Sequence, residues 1–127
     1  MSYEEVSKKL KEIRIEDYIW VIYIGIIFFS WYSNSLERKY FIYNDLDSKE
    51  KYRKIIIIIF SILVIVYFHF FKSAIDDINN LKPNDSLKKQ NLTYLSFIAS
   101  LLIVISGIIF LYIALMDDDI NVELAFS

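Results

Sequence analysis

The sequence predicts an all-α integral membrane protein with three transmembrane helices, the second and third forming an antiparallel hairpin, and a short amphipathic helix in front. Three observations carry this. Residues 94–116 form a run of 23 without a single charge, and at a helical rise of ~1.5 Å per residue they reach across a hydrocarbon core of ~30 Å with some tilt. Two further apolar runs fit the same pattern. The charged residues, 24% of the chain, fall almost entirely before and between these runs, although 56% of all residues are hydrophobic. Ionisable groups at the centre of a bilayer cost about 2.5–3.5 kcal/mol each even on lenient scales, so such segregation is what a membrane imposes.

At 127 residues the chain has room for one membrane domain. A net charge of −2 argues against nucleic acid as a partner. With no cysteine, disulfides, thiol chemistry and Cys-ligated metal centres are excluded. The first seventeen residues mix both signs of charge and no small-residue cleavage pattern follows the first apolar run. That run is therefore expected to stay as a signal anchor and not to be removed.

The N-terminal segment, 1–17, is expected to be amphipathic. Ser2 and Glu5 have capping-box spacing. Val6, Leu10 and Ile13 recur with Tyr3 at helical intervals, and Glu4/Lys8, Glu5/Lys9 and Lys8/Glu12 pair at i,i+4 on the other side. The apolar face is a candidate docking face for a partner or for lipid head groups. The first span, 18–36, is ~28 Å long as a helix. Trp20 and Trp31 stand near its ends, where indole prefers the interface. Beyond it Leu36, Tyr40 and Tyr43 share a helical face, so the helix either continues or turns onto the surface. Asn44 to Ser48 then breaks the pattern, and Asp47 with Glu50 has capping-box spacing into the next helix.

The second span, 55–71, is bracketed by Arg53/Lys54 and Lys72, whose stems can carry their charges outward. Its five consecutive isoleucines would suit a buried strand, but the length of the apolar run decides for helix. The helical pattern continues through Ile75 and Ile78 to Asn79. Asn79-Asn80, Lys82-Pro83 and Asn84-Asp85 signal a turn, and the next helix is expected to start near Asp85 or Ser86. So short a connection makes the last two spans a hairpin. The third span is 94–116, followed by an acidic tail, 117–127. Asn91-Leu92-Thr93 has the form of a glycosylation sequon, but it abuts a span, and the Ile-, Lys- and Asn-rich usage points to a bacterial source.

Lys and Arg number four before the first span, six in the first connection, four in the second and none in the tail. Three spans put eight on the side of the N-terminus against six opposite. The positive-inside rule then favours a multi-pass cell-membrane protein with a cytoplasmic N-terminus and an outside C-terminus.

Small residues carry the first candidate interaction site. Ser100, Gly107 and Ala114 recur every seven residues, with Ser96 and Ala99 near the first of them. Such a stripe lets another helix approach closely, whether from the same chain or from a second copy. His69, with Lys72, Asp76 and Asp77 on a shared face, has the residue types of a proton relay or metal site. It lacks carboxylates at i±3 or i±4, and an interfacial hydrogen-bonded histidine is the plainer reading. Asp117–Asp119 offer oxygen ligands for a cation, yet adjacent carboxylates on a helix diverge and the spacing is not that of an EF-hand. No catalytic, cofactor or metal site is expected. No Ser/His/Asp set, phosphate loop or HExxH is present, so an enzyme is not expected. No charge lies inside a span, which argues against an ion-coupled transporter.

Two functions from different classes fit. One is a small non-enzymatic membrane protein acting by helix contact, as accessory, regulatory or immunity-type partner of a membrane assembly. The other is a homo-oligomeric permeabilising protein: in length and three-helix layout the chain resembles phage holins with three spans, a likeness over the whole chain that rests on no motif. It differs from their usual pattern in lacking a basic C-terminal tail and in its preferred orientation. The expected partners are the lipid bilayer and a protein, or a second copy, within the membrane.

Overall fold

A computed structural model describes residues 2–124. Among them three helices follow in order, α1 (Tyr3–Tyr43), α2 (Leu46–Asn79) and α3 (Leu87–Met116), with no strand. Met1 and the last three residues of the expected tail, Ala125 to Ser127, lie outside the described residues. All three helices are long and apolar enough to cross a membrane, α3 the most apolar and α1 the least. At ~1.5 Å per residue they measure roughly 61, 51 and 45 Å, so each exceeds a ~30 Å hydrocarbon core and extends beyond it. The chain is a multi-pass, all-helical membrane protein. It divides into two compact units, Met1–Tyr52 and Arg53–Ser127.

In the first unit α1 starts at Ser2, whose Oγ accepts from the Glu5 amide at 3.2 Å while Glu4 and Glu5 sit in the positive first turn. The helix does not break between 17 and 18. No proline and only Gly25 interrupts 41 residues, so the N-terminal segment and the first span are one continuous helix. It also continues past Leu36 through Glu37, Arg38 and Lys39, all adequate helix formers, and stops where Asn44 adopts the left-handed conformation at φ 53°.

The connection to α2 is only Asn44-Asp45. Asp45, not Asp47, caps α2, which corrects the capping-box expectation. Its Oδ1 accepts from the Asp47 amide at 3.2 Å, its Oδ2 from the Ser48 hydroxyl at 2.9 Å, and its carbonyl from the Lys49 amide at 3.2 Å. Asp47 already lies in the first turn and pairs with Lys51 at 3.2 Å instead. The Ser48 hydroxyl is the main reason the Asp45 carboxyl lies below its usual range. Lys49 Nζ stands 5.4 Å from the centre of the Tyr40 ring, a contact between α1 and the first turns of α2. Ile19, Ser33, Leu36, Ser48 and Tyr52 are buried. Ser33 tolerates this because its hydroxyl donates to the Ser30 carbonyl at 2.7 Å.

In the second unit, numbering rises along α2 as it falls along α3. Arg53 meets residues 115–118, Phe60 stacks on Phe110 with ring centres 5.6 Å apart, Tyr67 and Val64 flank Gly107, and Phe71 stacks on Phe97 at 5.4 Å. A second face of α2 buries Ile56, Ile59, Leu63, Val66 and Ala74. The turn after α2 is organised by Asp85, whose Oδ2 accepts from the Lys82 amide at 2.8 Å and whose Oδ1 lies 3.4 Å from Lys89 Nζ. The Lys82 amide is the leading cause of the depressed Asp85 carboxyl. Ser86 then caps α3, its Oγ accepting from the Lys89 amide at 3.1 Å.

Candidate interaction surfaces

Two kinds of apolar surface result, one consumed within the chain and one left open. On α3 the covered stripe is Phe97, Ser100, Val104, Gly107, Leu111 and Ala114, with Val104, Gly107 and Ala114 buried and the others half-buried. Its alternating steps of three and four keep one face turned the same way along the helix. At Gly107 a Cβ would lie 2.8 Å from Tyr67 Cδ2 and 3.4 Å from Val64 Cγ2. No real side chain sits that close, so glycine is what lets α2 and α3 approach here. Of the five small residues, Ser100, Gly107 and Ala114 thus lie on the covered stripe. Ser96 and Ala99 are exposed, each one residue, about 100° of helical turn, ahead of a covered position.

An open surface runs along α1, and α3 also leaves Leu95, Ile98, Leu102, Ile105 and Ile109 exposed outside its covered stripe. Val6, Leu10 and Ile13 are 40%, 58% and 52% exposed. The same three-and-four spacing continues past Asp17 to Trp20, Ile24, Ile27 and Trp31, all exposed. In the sequence this face ends at Ile13, because the charge at Asp17 separates the aqueous part from the span. The signal that joins the two was the unbroken spacing.

Of the charged candidates, Asp117 and Asp118 have structural partners. His69 is half-buried, with its ring 5.8 Å from that of Phe70, while Asp76 and Asp77 are exposed. Among the described residues no three of His, Asp and Glu come close enough to hold a metal ion. In the acidic triplet, Asp117 accepts through Oδ1 from the Asn121 amide at 2.9 Å and through Oδ2 from the Val122 amide at 2.8 Å. Asp118 faces Arg53 at 3.0 Å. Arg53 also donates to the carbonyls of Asp117, at 3.3 Å, and Leu115, at 3.5 Å, placing a cation on the negative end of α3. Arg53 was missed as more than a flanking charge; the signal was a cation opening one span and carboxylates closing the next. Comparison with protein-family models, curated proteins and solved structures finds no match.

Proposed function

We propose that this chain is a small non-enzymatic membrane protein that works by helix contact, as an accessory, regulatory or immunity-type partner of a larger membrane assembly. The observation that carries the reading is the exposed stripe of α1. Lipid covers an apolar stripe inside a bilayer, but a rod of ~61 Å cannot be covered along its whole length by a core of ~30 Å. With residues 18–36 in the membrane, Val6, Leu10 and Ile13 extend beyond it as an amphipathic docking face. A partner helix running alongside α1 would cover both parts. We further infer that α2 and α3 form an antiparallel hairpin, a reading supported by the descending order of their contacts. The N-terminus then lies in the cytoplasm of a bacterial cell and the tail outside.

The experiment is native electrophoresis of membranes from the source cells, probing the chain itself. The reading predicts migration in a complex larger than the chain, and its loss when Val6, Leu10 and Ile13 are all changed to Ser. Migration unchanged by that triple substitution removes the N-terminal docking face.

A homo-oligomeric permeabilising protein, holin-like in layout, is the second reading, favoured by one observation. Ser96 and Ala99 are small and exposed, with Ser106 on the same side of α3, which leaves a face where a second copy could approach closely. Ala99→Leu tests it without touching the α2 contact: depolarisation on induced expression that this change prevents supports a pore, and an unchanged membrane potential at full insertion of the unaltered chain rejects it.

A further inference from the structure

A groove of about 380 Å³ lies between the end of α2 and the start of α3, lined by Asp77, Ser86, Lys88, Lys89, Leu92, Thr93 and Ser96. Its volume is in the range of small-ligand sites. It sits at a membrane boundary: on one side are the charges of Lys88 and Lys89, on the other the charge-free run that begins with Gln90. Most of its polar atoms are already engaged. The Ser86 hydroxyl caps Lys89, the Thr93 hydroxyl donates to the Lys89 carbonyl at 2.8 Å, and Lys89 Nζ is held by Asp85. Two opposite charges are not. Asp77 and Lys88 line the same groove, both exposed, and among the described residues neither forms an ion pair or a side-chain hydrogen bond. Two residues of opposite charge lining one groove without pairing with each other are complementary to a ligand that carries both charges itself. Leu92, 55% exposed, begins the apolar wall leading from the groove along the outer side of α3, past Ser96 and Ala99, where small side chains leave room for a chain.

We propose that this groove holds the head group of a zwitterionic phospholipid with a primary amine, phosphatidylethanolamine, with its phosphate on Lys88 and its ammonium on Asp77. Basic pockets beside membrane helices commonly take lipid phosphates. Asp77 is what departs from that pattern, since it opposes a purely anionic head group and favours one with a donor amine. The inference stands on the membrane-spanning character of the helices and does not depend on the contact function.

The test uses the full chain, delipidated in detergent and titrated with dioleoyl phosphatidylethanolamine, phosphatidylcholine or phosphatidylglycerol, with bound lipid counted by native mass spectrometry. The ethanolamine lipid should bind tighter than the other two by about two- to fivefold, the scale of one exposed ion pair. Asp77→Asn should erase its advantage over the glycerol lipid, and Lys88→Gln should weaken both. Lys54→Gln, an exposed lysine on another part of α2, should change neither, and circular dichroism should show unaltered helix content in all three variants. Equal binding of the choline and ethanolamine lipids overturns the proposal. So does a preference for the glycerol lipid that Asp77→Asn leaves as it was, which would make the groove a general basic site.

Discussion

The chain has two glycines, one in each unit, and they do opposite things. A Cβ added at Gly107 would drive into the Tyr67 ring, whereas a Cβ added at Gly25 meets nothing within 4 Å. The rest of each unit follows its glycine. The α2–α3 unit uses one face of α3 internally, through two aromatic stacks, a close helix approach and a guanidinium on its last turn, while Leu95, Ile98, Leu102, Ile105 and Ile109 on its other sides stay exposed. The α1 unit leaves Trp20, Phe28 and Trp31 more than 60% exposed. Within a bilayer hydrophobicity does not drive helices together, since lipid tails are as apolar as leucine. Helices associate where shape allows close packing, and α3 has that shape on the face turned to α2. On α1 the large aromatic and β-branched side chains stand outward, which suits lipid or a partner matched to them.

The sharpest way to break this contrast is to place the same residue at both glycines. Gly107→Leu should destabilise the α2–α3 unit by about 1–3 kcal/mol or more, as overpacking does, while Gly25→Leu should leave stability nearly unchanged. Unfolding by titration with dodecyl sulfate, followed by circular dichroism, reads both. Equal losses would mean that α1 is packed as tightly at Gly25 as α3 is at Gly107.

Phe60 and Phe110 come next. Each replaced by Ala should cost stability, and the double-mutant cycle should show a coupling of about 0.5–1.5 kcal/mol for the stacked pair. Smaller again is the Arg53 contact. Arg53→Gln should loosen the last turn of α3 by ~1 kcal/mol, seen as faster hydrogen exchange of the Asp117 amide, which bonds to the Ile113 carbonyl at 2.8 Å. Asp118→Asn should do less, because that carboxylate is 80% exposed and exposed ion pairs contribute little. The mildest effect is on pH. The Asp85 carboxyl is held below its ordinary 3.8, first by the Lys82 amide, so its contribution to the turn is complete above that value and is lost as pH falls below it. The Lys82 amide resonance should titrate with a midpoint under 3.8, and Asp85→Asn should abolish that transition.

Much of the architecture was legible in the sequence. The helix ends expected at Asn79, Ser86 and Met116 coincide with those of α2 and α3, because a charge or an Asx turn marks each of them. The end of the first helix was harder to read. Glu37, Arg38 and Lys39 look like a loop when charge is the guide, yet all three are compatible with helix, and the real stop is the left-handed Asn44. The shift of the α2 cap from Asp47 to Asp45 has the same origin: capping-box spacing recurs by chance in charged segments, and only backbone geometry chooses. For the interaction residues, the seven-residue period found Gly107 and Ala114 but could not tell which side of α3 carries Ser96 and Ala99. Nearly the whole helix is apolar, so hydrophobicity alone assigns no inward face.

The proposed topology requires three crossings. The natural chain has no cysteine, so single cysteines at Ser7, Tyr43, Asn84 and Glu123, all exposed positions, can each be probed with a membrane-impermeant maleimide on intact cells. Three spans with a cytoplasmic N-terminus predict labelling at Tyr43→Cys and Glu123→Cys, with Ser7→Cys and Asn84→Cys protected until the cells are lysed. Labelling of Glu123→Cys and Ser7→Cys from the same side would contradict it, because the chain would then cross an even number of times.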